Sequence, residues 1–223
     1  MIRLVTQSLN MPAKIQKALL APSLSDKVAK GKLLTYSQAE QVFSFFKACM
    51  LFKWEDVNNN CEGRAEAICM LLEDWQIASY KGWVMSGLLL RKGPGTLVNN
   101  WQYHVAALLP IQDDNEIVYY VVDPSTSNKL ESLPDWANSV TDRPFSHYLI
   151  KRGIHYIFRA GNIKNNNWFK RNRQNYKWTI QGLSGINGLS SIGKAYLCFN
   201  KNKIKRTEKI FAALRKSKPA FLL

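Results

Sequence analysis

The sequence predicts an α+β domain, helices first and then an antiparallel sheet. Three observations lead there. Residues 12–50 and the stretch from Cys61 to Trp75 repeat apolar side chains at three- and four-residue spacing, the helical period. Two runs rich in aromatic and β-branched residues, WQYHVAALL (101–109) and IVYYVVD (117–123), follow on either side of a short polar connection, as in a hairpin. The chain has 223 residues, 46% hydrophobic and 21% charged, a globular composition with room for one sizeable core.

In chain order, AKIQKALL and YSQAEQVFSFFKACMLF read as helical, with Ser25 and Thr35 or Ser37 as N-caps. VNNN (57–60) is a polar break. CEGRAEAICMLLEDW then begins a helix at or near Cys61, with Ala65, Ile68, Leu72 and Trp75 along one face. YKGWVMSG (80–87) reads as a strand and RKGPGTLVNN (91–100) as a turn-rich loop. PIQDDNE connects the two hairpin strands, and PSTSNKLESLP continues as loop. YLIKRGIHYIFRA (148–160) holds a further strand around Ile154–Phe158. After Gly161 the texture turns Asn-, Lys- and Gly-rich with interleaved aromatics, and KRTEKIFAALRKS (205–217) closes as a short basic helix. The expected division is a domain over 1–160 and a basic C-terminal extension over 161–223.

Charge supports that division. Residues 1–150 carry a net −1, whereas residues 151–223 carry +16 with Glu208 as their one acid. Such a block attracts anions: an acidic protein, an anionic membrane or nucleic acid. No apolar run reaches the roughly 18–20 residues of a bilayer-spanning helix. The N-terminus lacks the continuous apolar block of a signal peptide. Four cysteines make no disulfide scaffold. No Cys or His pair has zinc-ligand spacing and no Gly-rich loop precedes a helix, so neither metal nor cofactor is expected.

One constellation carries chemistry. Cys61 stands where a loop becomes a helix, and the unpaired N–H groups and dipole of a helix N-terminus favour a thiolate. The same N–H groups can hold an oxyanion. His104 lies inside one hairpin strand and Asp123 ends the other, just before Pro124. Pairing of the two strands brings imidazole and carboxylate close, and the helix start presents the thiol: a Cys-His-Asp triad. Each member also has a plainer reading, as a buried sulfur, a hydrogen-bonded strand histidine and a turn aspartate. Cys69 lies too far along the helix to bridge to Cys61, Cys49 and Cys198 read as core, and His147 and His155 lack a matching acid. Arg64 reads as structural, reaching Glu62, Asp74 or a loop.

C-E-G-R-A (61–65), W-Q-Y-H-V-A (101–106) and V-V-D-P-S (121–125), in that order, resemble the bacterial protein-glutaminase family over roughly residues 55–160. The resemblance implies a papain- or transglutaminase-like fold, with the catalytic Cys at a helix N-terminus packed on an antiparallel sheet carrying His and Asp. It implies deamidation of protein glutamine side chains through a thioester, with Cys61 as nucleophile, His104 as base and Asp123 orienting it. Trp101, Tyr103 and Asn60 are the expected substrate contacts; Asn60 stands where the family commonly has a small residue. The alternatives are a transglutaminase or cysteine protease on the same triad, or a non-catalytic basic module gripping nucleic acid or membrane. The expected setting is the bacterial cytoplasm, or export as an effector by a route that needs no signal peptide.

Overall fold

The structure is a computed structural model that describes residues 7–8, 31–57, 60–91, 95–113, 116–141, 147–158, 168–186 and 198–222. In chain order the strands are β1 (Gln7–Ser8), β2 (Tyr80–Met85), β3 (Tyr103–Asp113), β4 (Glu116–Val122), β5 (Glu131–Ser132), β6 (His147–Arg152), β7 (His155–Phe158) and β8 (Trp168–Lys170). The helices are α1 (Tyr36–Ala48), α2 (Cys61–Asp74), α3 (Gly87–Leu90), α4 (Leu133–Ser139), α5 (Arg173–Leu183) and α6 (Lys201–Lys216). Among the described residues no helix is long and apolar enough to cross a membrane.

Helix α1 begins where the sequence placed a cap: the Thr35 hydroxyl accepts from the Gln38 N–H while the Gln38 side chain accepts from the Thr35 N–H. The rest of the expected helical stretch before residue 31, Ser25 included, lies outside the described residues. Helix α2 starts at Cys61 as expected, and Ala65, Ile68, Leu72 and Trp75 are all buried. So are Ala67, Cys69, Met70 and Leu71, because the helix packs on the sheet while α5 and α6 cover another side. It is a central helix rather than a surface one.

Six strands form an antiparallel sheet in the order β1-β6-β2-β3-β4-β5, and β7 pairs with β8 separately. The hairpin is real but longer than expected. Most of PIQDDNE is strand, with Asp113 opposite Glu116. Pro110 is tolerated because it lies beyond Leu108, the last residue of β3 paired with β2. Strand alternation splits β3 between two cores. Ala107, Leu109 and Ile111 join α1 and α2 in one apolar cluster, while Ala106 and Leu108 join Leu133 and Trp136 of α4 in another.

The C-terminal third differs most from its sequence reading. Strand β8 and helix α5 were not anticipated, and α6 begins at Lys201, a turn earlier than expected. Ile180, Leu183, Phe211 and Leu222 all enter the main core. Buried Glu66 of α2 binds both Lys81 of β2 and Arg171, and Arg171 also binds Glu73. Arg215 of α6 holds Asp74 at 2.5 Å. The described parts of 161–223 are thus packed into the domain instead of trailing from it. Cys198, expected in the core, is exposed, since it precedes the α6 stripe buried through Thr207 and Phe211. Cys49 is half-buried, and all four thiols are free.

Candidate active site

The loop entering α2 sets the position of Cys61. Asn60 adopts the left-handed conformation (φ 64°, ψ 27°), which asparagine tolerates better than most residues. Its side chain does not cap the helix. It is wedged between two glycines: a methyl group at Gly63 of α2 or at Gly182 of α5 would each stand 1.9 Å from Asn60 Oδ1. The first-turn N–H groups of α2 are therefore left without a cap from the Asn60 side chain. Arg64 reaches a loop, donating to the Asp56 carbonyl at 2.9 Å and lying over Trp54.

The β3–β4 hairpin supplies the imidazole and carboxylate. His104 Nε2 lies 2.7 Å from Asp123 Oδ2, and both residues are buried. With Nε2 engaged by the carboxylate, Nδ1 is the ring nitrogen left for proton transfer. The ring stacks on Trp101 at 4.4 Å between centroids and meets Trp136 at 5.7 Å. Asp123 in turn accepts from the Ser125 hydroxyl and the Thr126 hydroxyl, each at 2.5 Å, and from the Ser125 N–H. Buried Trp136 donates to Thr126 Oγ1 at 2.8 Å, so α4 braces the carboxylate through one hydroxyl. Burial alone would raise the Asp123 pKa, but the His104 ring and the two hydroxyls outweigh it and bring it down to about 2.

Cys61, His104, Asn60, Trp101 and Tyr103 all line one cavity of about 320 Å³, with Glu62, Gln102 and Val57 completing its wall. Every expected site residue except Asp123 opens on this space, and Asp123 sits directly behind the histidine. The thiol itself points elsewhere than expected. Cys61 donates to Glu62 Oε2 at 3.4 Å, and the Tyr103 hydroxyl donates to Glu62 Oε1. Burial, followed by the Glu62 charge, pushes the Cys61 thiol well up; Arg64 and the Val105 N–H oppose this. The helix N-terminus alone, which argues for a thiolate, does not prevail in this state.

Sequence reasoning passed over Glu62, Ser125, Thr126 and Trp136. The Asp-Pro-Ser-Thr run did carry a signal, because hydroxyls just after an aspartate commonly fold back onto it. Trp136 carried none, since only tertiary packing delivers α4 to the hairpin.

Residues 39–140 match a protein-family model described as glutaminase. That stretch contains Cys61, His104 and Asp123. The match bears out the resemblance drawn from the three motifs, and with it a hydrolase acting on glutamine side-chain amides. Among solved structures, a crystal structure of protein-glutaminase aligns with a TM-score of 0.54 and 16% identity, over 72% of this chain and 98% of that one. A mutant of pro-protein-glutaminase aligns with a TM-score of 0.54 and 16% identity, over 77% of this chain and 65% of that one. These likenesses show a shared mixed fold of helices on an antiparallel sheet. Nothing among curated protein sequences matches the chain.

Proposed function

We propose that this chain deamidates glutamine side chains within proteins, with Cys61 as nucleophile, His104 as acid and base, and Asp123 orienting the imidazole. The observation that carries this reading is His104, backed by Asp123, opening onto the same cavity as a cysteine at a helix start without a side-chain cap. Protein substrate is supported by the fold shared with protein-glutaminase and by an open cavity beside the thiol.

The proposed steps are those of a thioester route. Cys61 loses its proton to His104, and the sulfur attacks the carboxamide carbon of the bound glutamine. The oxygen of the tetrahedral intermediate takes its negative charge against the first-turn N–H groups of α2. The C–N bond breaks as His104 returns the proton to nitrogen, and ammonia leaves a thioester on Cys61. Water, deprotonated by His104, adds to the thioester; the C–S bond breaks, His104 returns the proton to sulfur, and the substrate protein leaves with a glutamate side chain. Asp123 fixes the tautomer and stabilises the transient imidazolium. Trp101 holds the ring plane by stacking, while Asn60 and Tyr103 shape the walls that meet the glutamine. Beyond the cavity, the exposed lysines of α6 favour docking on an acidic protein surface.

Product analysis separates this reading from its rivals. A glutamine-containing protein treated with the enzyme in the presence of a primary amine should show glutamine-to-glutamate conversion in peptide mass spectra. Predominant amine incorporation would assign a transglutaminase, and internal chain cleavage a protease.

A further inference from the structure

Among the described residues, Glu62 is the one charged side chain of the cavity wall that the deamidation steps do not use. It is half-buried and doubly engaged: Oε2 accepts from the Cys61 thiol at 3.4 Å and Oε1 from the Tyr103 hydroxyl. The phenol fixes the carboxylate against β3, so it stands next to the sulfur instead of swinging into solvent. A carboxylate that accepts a thiol hydrogen bond favours the thiol over the thiolate and draws its proton away from the imidazole. Helix α2 begins with this residue in its first turn, where its charge also offsets the dipole that would otherwise favour the thiolate.

We propose that Glu62 is a specificity-determining residue that reads positive charge beside the target glutamine and releases the Cys61 thiol to His104 when a substrate cation engages it. This rests on the deamidase reading above. A glutamine whose amide carbon meets Sγ leaves its own backbone at the cavity mouth. A neighbouring lysine or arginine is long enough to return along the wall and pair with Glu62, whereas a neighbouring glutamate or aspartate meets like charge. The pairing neutralises the group that holds the thiol proton, so the correct flank improves the chemical step as well as binding. The other groups facing the sulfur work around this pair: Arg64 from α2, Tyr103, His104 and the Val105 N–H from β3, and Tyr156 from β7.

Two measurements test it, on wild type, Glu62→Gln and Glu62→Ala, each checked for a cooperative thermal transition. The first follows iodoacetamide alkylation of Cys61 against pH, read by peptide mapping so that exposed Cys198 does not interfere. Both variants should move the alkylation profile to lower pH by about one unit, making Cys61 roughly tenfold more reactive at neutral pH. The second compares kcat/KM for peptides whose glutamine is flanked by lysine or by glutamate. Wild type should favour the lysine flank by roughly tenfold, partly through kcat, and both variants should bring the ratio close to one. Superimposable alkylation profiles, or a flank ratio unchanged in the variants, overturn the proposal. Failure of wild type to deamidate any peptide instead overturns the deamidase reading, and the specificity with it; the alkylation comparison then still decides whether Glu62 governs the thiol.

Discussion

At the scale of single residues, the carboxylate behind the histidine is held on several sides. Asp123 accepts from an imidazole, two hydroxyls and a backbone N–H. That is a fixed anion, as the proposed orienting role requires. Asp123→Asn keeps the shape but offers an amide to Nε2 in place of the charge, so kcat should fall by roughly 10²–10⁴ with KM little changed. The same substitution has a pH signature. The native pKa of about 2 lies below the ordinary 3.8, so this group adds stability that is fully present above pH 3.8 and is lost as pH falls toward 2. Urea unfolding between pH 5 and 2 should show a drop in wild type of about 2 kcal/mol from this group, and Asp123→Asn should lack it. The sequence made these residues legible because each had a local signal: a helix start, strand alternation, an aspartate before proline. The hydrogen bond from Cys61 to Glu62 had none, since adjacent residues on a helix do not ordinarily face each other and only the Tyr103 hydroxyl holds the carboxylate there.

At the scale of elements, the placement of Cys61 depends on a helix far along the chain. Asn60 is gripped between Gly63 and Gly182, so α5 forms part of the floor that aims α2. Gly182→Ala puts this in opposition to propensity. Alanine favours a helix interior by about 1 kcal/mol, yet its methyl group would collide with Asn60 Oδ1. The expected outcome is a melting temperature within a few degrees of wild type together with at least a tenfold loss of kcat/KM, read by ammonia release. Equal activity would show that Asn60 can turn aside without moving Cys61. The hairpin and α2 were readable from periodicity. Helix α5 was not: RQNYKWTIQGL has low apolar content, and its buried side includes Asn175 and Thr179 as well as Ile180 and Leu183. Its polar composition reads as loop until α2 is there to pack against.

For the whole molecule, the question is what the basic third does. Its charge suggested an appendage, but its apolar residues complete the core, and Arg171 and Arg215 pair with carboxylates at three positions of α2. Removing one partner from a buried pair such as Glu66–Arg171 costs about 3–5 kcal/mol. Burial of Ile180, Leu183 and Phe211 adds about 1.5–3 kcal/mol each. Together these are comparable to the whole stability of an ordinary domain, about 5–15 kcal/mol. A chain ended after residue 160 should therefore show no cooperative thermal transition by circular dichroism. A truncated chain that melts cooperatively near the full-length temperature would restore the two-part division. Net charge did not reveal the architecture, because the lysines lie on the outer face of α6 while Phe211 anchors its inner one.

The central claim is that one thiol, served by one imidazole–carboxylate pair, converts protein glutamine to glutamate. The most direct test is a side-by-side measurement of ammonia release and substrate mass for wild type and Cys61→Ala on the same unfolded, glutamine-rich protein. Wild type should release one ammonia for each amide converted to a carboxylate, and Cys61→Ala should release none above the enzyme-free control. Deamidation that persists in Cys61→Ala would contradict the account.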